Sequence, residues 1–286
     1  IGSITKAMEV VAAIKMRKSQ ELALDSRPYA FRALRLLEKL SKGFTVENIF
    51  TQPREVKKTI VVLMTSDRGL IGSFNTQVLR VAEKFSTAEN LFVAVGKKAD
   101  AYLIKKDLPE VRKFFGFGDV IEVHEINELY NFLIDGYISK KWDRIITVTM
   151  HFRSALKQET LVRDILPLDF KKIRETVEEI IPEHGRFAEL RGEAEARNSK
   201  EIEYIFEPSP KELAENLIPH LLKMELYHLV LEANASEHAA RYVAMKNASD
   251  NAEEISGKLI IQYNKVRQAA ITGAMVELAA TQSALK

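Results

Sequence analysis

The spacing of apolar residues changes twice along this chain. Near the start, Ile4, Met8, Val10, Val11, Ala12, Ala13, Ile14 and Met16 go nearly all round a helical wheel, the pattern of a helix buried on every face. The helix they predict runs from residue 1 to Gly43, where Lys42-Gly43 makes a good stop. Pro28 should bend it locally. Between residues 58 and 207 strand-like and helix-like stretches alternate. "TIVVLMTS", "LFVAVG", "VRKFFGF" and "DRIITVTMHF" read as strands, and "GSFNTQVLRVAEKFS", "KKADAYLIKK" and "INELYNFLIDGYISKK" as helices. That alternation predicts a parallel or mixed sheet covered by helices. The stretch "FKKIRETVEEIIPEHGRFAELRGEAEARNSKE" is charged and poor in apolar residues, so it reads as a flexible insertion. "IEYIFEP" then returns as an edge strand, ended by Pro208 and Pro210.

From Lys211 to about Ala284 only Pro219, in the third turn, interrupts the helical pattern. At 1.5 Å per residue such a helix is ~110 Å long and needs a continuous partner. Alternating steps of four and three give Leu217, Leu221, Met224, His228, Leu231, Ala235, His238, Tyr242, Met245, Ser249, Ala252, Ser256, Leu259, Tyr263, Val266 and Ala270. This is a sustained heptad seam, hence a left-handed coiled coil. Its middle, "EHAARYVAMKNASDNA", is small or polar. The other long helix, residues 1–43, can pair with it antiparallel over only ~60 Å, so the remainder must be single or held by something else. The expected fold class is α/β: a long antiparallel coiled coil of the terminal segments (1–57 and 208–286) with a central Rossmann-like α/β domain (58–207).

Charge sharpens this picture. The net charge of the 286 residues is only +2, but residues 1–42 hold nine Lys/Arg against four acids, and residues 258–286 hold four against one. Both ends are basic. They are either solvated helices or a shared surface facing an acidic partner. There is no cysteine, which excludes disulfides, thiolate metal sites and thiol nucleophiles. No apolar run approaches the ~18 residues of a membrane span, and the basic, helical start has no cleavage site. The chain does not begin with Met, so it is expected to be processed or partial.

Candidate chemistry is sparse. "TSDRGLIGSFN" follows a strand and opens a helix, so Gly69, Gly72 and the helix N-terminus offer a phosphate site. The spacing matches neither a Walker A loop nor the three-glycine dinucleotide fingerprint. The alternative is a tight turn in which Asp67 caps and Gly69 takes positive φ. His151 follows a strand. His228 and His238 lie on the seam ten residues apart, a spacing of register-setting residues more than of metal ligands. No nucleophile-elbow pattern is present, and Glu175, Glu178, Glu179 and Glu183 read as a solvated face. No catalytic, cofactor or metal site is expected.

"ITKAMEVVAAIKMRKSQ", "SDRGLIGSFN" and "SEHAARYVAMKNASDNA", followed by "YNKVRQAAIT", resemble the gamma subunits of rotary (F-type) ATP synthases, over nearly the whole chain. Three departures stand out. Ser3 joins Ile4 without the usual intervening segment, Ile71 replaces the common Cys, and Gly273-Ala274 follow "AAIT". The resemblance implies a central rotor stalk of a proton- or sodium-translocating ATP synthase, without catalysis of its own. Its partners would be three alpha and three beta subunits, an epsilon subunit and a ring of c subunits, with no nucleic acid. It would sit at the cytoplasmic side of a bacterial inner membrane, peripheral through the complex. Residue by residue, Arg267 and Gln268 match a pair that catches an acidic beta loop. Met16, Arg17 and Lys18 match a segment near the beta lever, and Tyr204 and Glu207 match positions facing the c ring. Two other readings stay open: a doubly wound enzyme with a nucleotide at Gly69–Asn75, and a coiled-coil scaffold self-associating through Leu217–Leu231.

Overall fold

The computed structural model describes residues 2–43, 48–52, 54–87, 89–118, 121–154, 157–169 and 209–284. The expected charged insertion, its acidic face and the "IEYIFEP" strand, with Tyr204 and Glu207, lie outside the described residues. Helix α1 (Gly2–Gly43) is followed by β1 (Thr59–Met64), α2 (Phe74–Ala82), β2 (Asn90–Val95), α3 (Lys97–Lys105), β3 (Glu110–Phe114), α4 (Asn127–Ile138), β4 (Arg144–Phe152), β5 (Gln158–Leu166) and α5 (Pro210–Ala284).

The five strands form one sheet in the order β3-β2-β1-β4-β5. β1 pairs parallel with β2 and with β4, and β2 with β3, while β5 runs antiparallel to β4. Every residue of β1 is buried, as expected of a central parallel strand covered on both faces. One face (Val61, Leu63, Phe92, Ala94, Ile146, Val148) packs against Phe74 and Val78 of α2 and Ala99 and Leu103 of α3. The other (Ile60, Val62, Met64, Val93, Val95) packs against Leu129 and Leu133 of α4 and Ile218, Leu222, Leu226, Leu229 and Val230 of α5. The second long helix is thus also the fourth covering helix of the sheet.

α5 has 75 residues and α1 has 42, each continuous through its proline. They run antiparallel. A Cβ on Gly2 would touch that of Ala252, Met16 packs on Ala235 and Ala239, and the Tyr29 hydroxyl meets the His220 imidazole.

Two sequence expectations are corrected. α1 is buried along one face only: Ala12 is buried, but Ile4, Val10, Val11 and Ile14 are exposed, because α5 covers one side and no other described element covers the other. In the glycine-rich turn, positive φ falls on Leu70 and Gly72 and not on Gly69. Asp67 does not cap the helix that follows it. Its two carboxylate oxygens accept the backbone N–H of Lys97, at the start of α3, and of Gly116. Asp67 therefore ties three strand ends together.

Candidate functional site: a two-helix shaft and its joint to the sheet

The shaft has three zones along α5. From Leu217 to Leu231 the heptad residues are all buried or half-buried, as a seam requires. Between them a second apolar set (Leu222, Leu226, Leu229, Val230) faces the sheet, so the helix is wrapped by α1 on one side and the α/β domain on the other.

From Ala235 to Met245 the contacts become small. Ala235 and Ala239 are buried against Met16 of α1 and Phe152, and side chains of that size let two backbones approach closely. Glu237 and Arg241 pair at 2.7 Å at the i,i+4 spacing. From Glu253 to Thr281 every residue except Asn264 is exposed, including Ile255, Leu259, Ile260, Ile261, Tyr263 and Val266. Gly2, the first described residue of α1, lies beside Ala252, and the exposed part of α5 lies beyond that contact.

This places most of the predicted contact residues. Arg267 and Gln268 are exposed on the single helix, and Arg17 and Lys18 are exposed on α1. Met16 is half-buried in the joint with Ala235, Ala239 and Phe152. Because Met16 lies beside Ala235, about 30 residues of helix separate the two groups, some 45 Å along the shaft. They form two surfaces, not one site.

The sequence reading overlooked the joint between shaft and sheet. β4 alternates, and its odd-numbered positions Thr147, Thr149 and His151 are polar and fully buried. Arg163 of β5 pairs in register with Thr147 and is buried as well. Over this lane lies one face of α5, with Glu225, His228, Glu232 and Ser236 spaced three, four and four apart. Glu232 contacts His151 Nδ1 through one carboxylate oxygen, and the other lies 3.0 Å from His228 Nε2. Burial opposes ionisation of Glu232, but the two imidazoles outweigh it and hold the carboxyl well below the usual range. Burial pushes Glu225 the other way, partly offset by Arg163 and His228. The Ser236 hydroxyl donates to the Met150 carbonyl at 3.4 Å. A clue was present in sequence: a Glu four residues after a His, inside the apolar run "HLVLEA".

The carboxyl ends of β1 and β2 border a cavity of about 580 Å³, roofed by Met8, Val11 and Lys15 of α1 and Asn234 and His238 of α5. Doubly wound sheets bind ligands at such strand ends. Here the neighbouring polar groups hold the fold: Asp67 is spent on two amides, and Asn75 and Ser66 bond each other. Among the described residues no His, Asp or Glu cluster could hold a metal ion, and no helix is long and apolar enough to cross a membrane.

The family model described as ATP synthase matches residues 1–285. The ATP synthase gamma chain of Salinibacter ruber is 32% identical over 99% of this chain and 93% of its own length. That of Moorella thermoacetica is 35% identical over the same shares. Among solved structures, the central stalk and c-ring of the Tetrahymena thermophila mitochondrial ATP synthase superposes with a TM-score of 0.60, at 20% identity, covering 86% of this chain and 99% of that one. A Euglena gracilis mitochondrial ATP synthase chain gives 0.57 at 18% identity, covering 100% and 95%.

Proposed function

The chain belongs to the family of ATP synthase gamma chains, and from that premise we propose that it is the central rotor stalk, turning inside a ring of three alpha and three beta subunits. The observation that carries this reading is the bare end of α5: from Glu253 to Thr281 a helix rich in large apolar side chains stands exposed. An unpacked helix of that kind gains its stability from tertiary contact and not from propensity alone. Its length and its basic charge fit a sleeve of partner subunits with acidic loops.

In this reading the stalk has no active site of its own and works mechanically. Its cross-section is asymmetric, because α1 and α5 differ in sequence along their contact. It therefore contacts each beta subunit differently, and a conformation is favoured only as far as those contact energies differ. Arg267 and Gln268 catch an acidic beta loop near the tip. Arg17 and Lys18 meet the beta lever lower down, while Met16 braces them from inside the joint. Tyr204 and Glu207 face the c ring, and an epsilon subunit shares the foot. The coupling ion is a proton or sodium, and the complex sits at the cytoplasmic face of a bacterial inner membrane. The small residues around Ala235 and Ala239 keep the shaft slim, so that it does not interlock with one fixed neighbour.

The test is stoichiometry. The tagged chain, expressed with its own alpha and beta subunits, should co-purify at one copy per three of each. Recovery as a free homo-oligomer would instead support a self-associating scaffold, and specific nucleotide binding by the purified chain would support the doubly wound enzyme.

A further inference from the structure

We propose that Glu232, held by His151 and His228, is the torque key between shaft and foot: a positioning group that fixes the angle of α5 on the sheet, so that twist passes from one to the other without slip. The proposal rests on the rotor-stalk reading.

A foot turned by a ring must turn the shaft, and most of the contact between them is apolar, through Leu222, Leu226, Leu229 and Val230. Apolar contact is non-directional, and it sets a register only through the shape of its packing. The lane beneath Glu232 differs in kind. Its side chain and that of His151 are almost wholly buried, and the carboxylate is gripped from two elements, by His151 of β4 and by His228 one turn earlier on α5. A desolvated charge of this sort has few arrangements of low energy, and leaving its partner strands it. Turning α5 by one residue, or sliding it one turn, separates the carboxylate from His151 and leaves both groups buried without each other.

Neutral stitches flank the key without sharing its cost of rupture. Tyr227 donates to the Ile121 carbonyl at 3.0 Å and Asn234 to that of Gly118 at 2.8 Å. The key lies on α5 within the paired stretch, between the Tyr29–His220 and Met16–Ala235 contacts of the two helices.

The experiment uses the assembled complex in inverted membrane vesicles and measures ATP hydrolysis and ATP-driven ion pumping on the same preparation. Glu232→Gln should leave hydrolysis near the wild-type rate and lower the ions pumped per ATP at least twofold. His151→Leu should do the same. His151→Lys keeps a cation opposite the carboxylate and should retain the wild-type ratio, a rescue that a merely space-filling role would not predict. An unchanged ratio in Glu232→Gln and His151→Leu overturns the proposal, and so do hydrolysis and pumping falling together at constant ratio. Should either variant fail to assemble, His151→Gln is compared with His151→Lys, and equal ratios in that pair overturn it too. Failure of the wild-type chain to join alpha and beta subunits would instead strike the stalk reading itself.

Discussion

A methyl group on Gly136 would lie 1.8 Å from Cζ2 of Trp142. The indole crosses α4 there because its Nε1–H donates to the Leu133 carbonyl at 3.0 Å, inside the core. The ring cannot retreat without giving up that bond, so Gly136→Ala forces overpacking, at a cost of about 1–3 kcal/mol. The urea midpoint of the purified chain should fall accordingly, and Trp142→Phe in the same chain should recover part of the loss. Glu232 makes a prediction of different form. Its folded pKa lies below that of an unfolded chain, about 4.3, so its ionisation stabilises the fold above that value for as long as the two imidazoles carry their protons. The contribution drains away as pH falls further, through the depressed folded value. Glu232→Gln should therefore cost roughly 1–3 kcal/mol at pH 6, and the gap between wild type and variant in urea midpoint should narrow below about pH 4.3. A gap that widened on acidification would mean that the carboxyl is protonated in the folded chain.

At the scale of elements, the long helices, the first four strands and the seam were legible because each has a clear period. β5 was not. "QETLVRDIL" puts Glu159, Arg163 and Asp164 into a strand, and these charges break the apolar alternation that marks one. They are tolerated because Arg163 faces the buried lane and Asp164 accepts from Arg144 Nε at 2.7 Å. The lane was invisible for a related reason: its partners come from three elements, and only the pairing of β4 with β5 and the crossing of α5 bring them together. α5 also carries more than one seam, since Leu222, Leu226, Leu229 and Val230 serve the sheet and the heptad residue His228 turns to the buried lane. These seams predict uneven protection along one continuous helix. In the purified chain, backbone amides of residues 222–239 should exchange slowest, and those of 254–281, which are exposed almost throughout, should exchange with little protection. Assembly with alpha and beta subunits should slow the second set and leave the first nearly unchanged. Equal protection of both sets in the free chain would mean that the tip is covered by the chain itself.

At the scale of the whole molecule, a rotor has to hold at one end and push at the other, and the exposed basic residues are spread along the shaft between those ends. Arg267 is exposed on the single helix, some 45 Å above Arg17 and Lys18 at 1.5 Å per residue. A lone exposed ion pair is worth about 0–1 kcal/mol, too little to hold a turning shaft. Once the tip is sleeved by partner subunits the same guanidinium loses its water, and truncating one member of such a desolvated pair costs about 2–5 kcal/mol. Charge reversal also replaces attraction with repulsion. Arg267→Glu should therefore lower either the yield of assembled complex or its ATP turnover about tenfold or more, since ~1.4 kcal/mol is already a factor of ten. The purified chain should keep its urea midpoint, because Arg267 contributes nothing to the fold that an exposed Glu would not. Combining Arg267→Glu with an acid-to-base change in the beta loop should restore part of the loss, whereas the loop change alone should harm the wild-type rotor. Assembly and turnover both unaffected by Arg267→Glu would remove this residue from the contact and leave the tip to act through its apolar side chains alone.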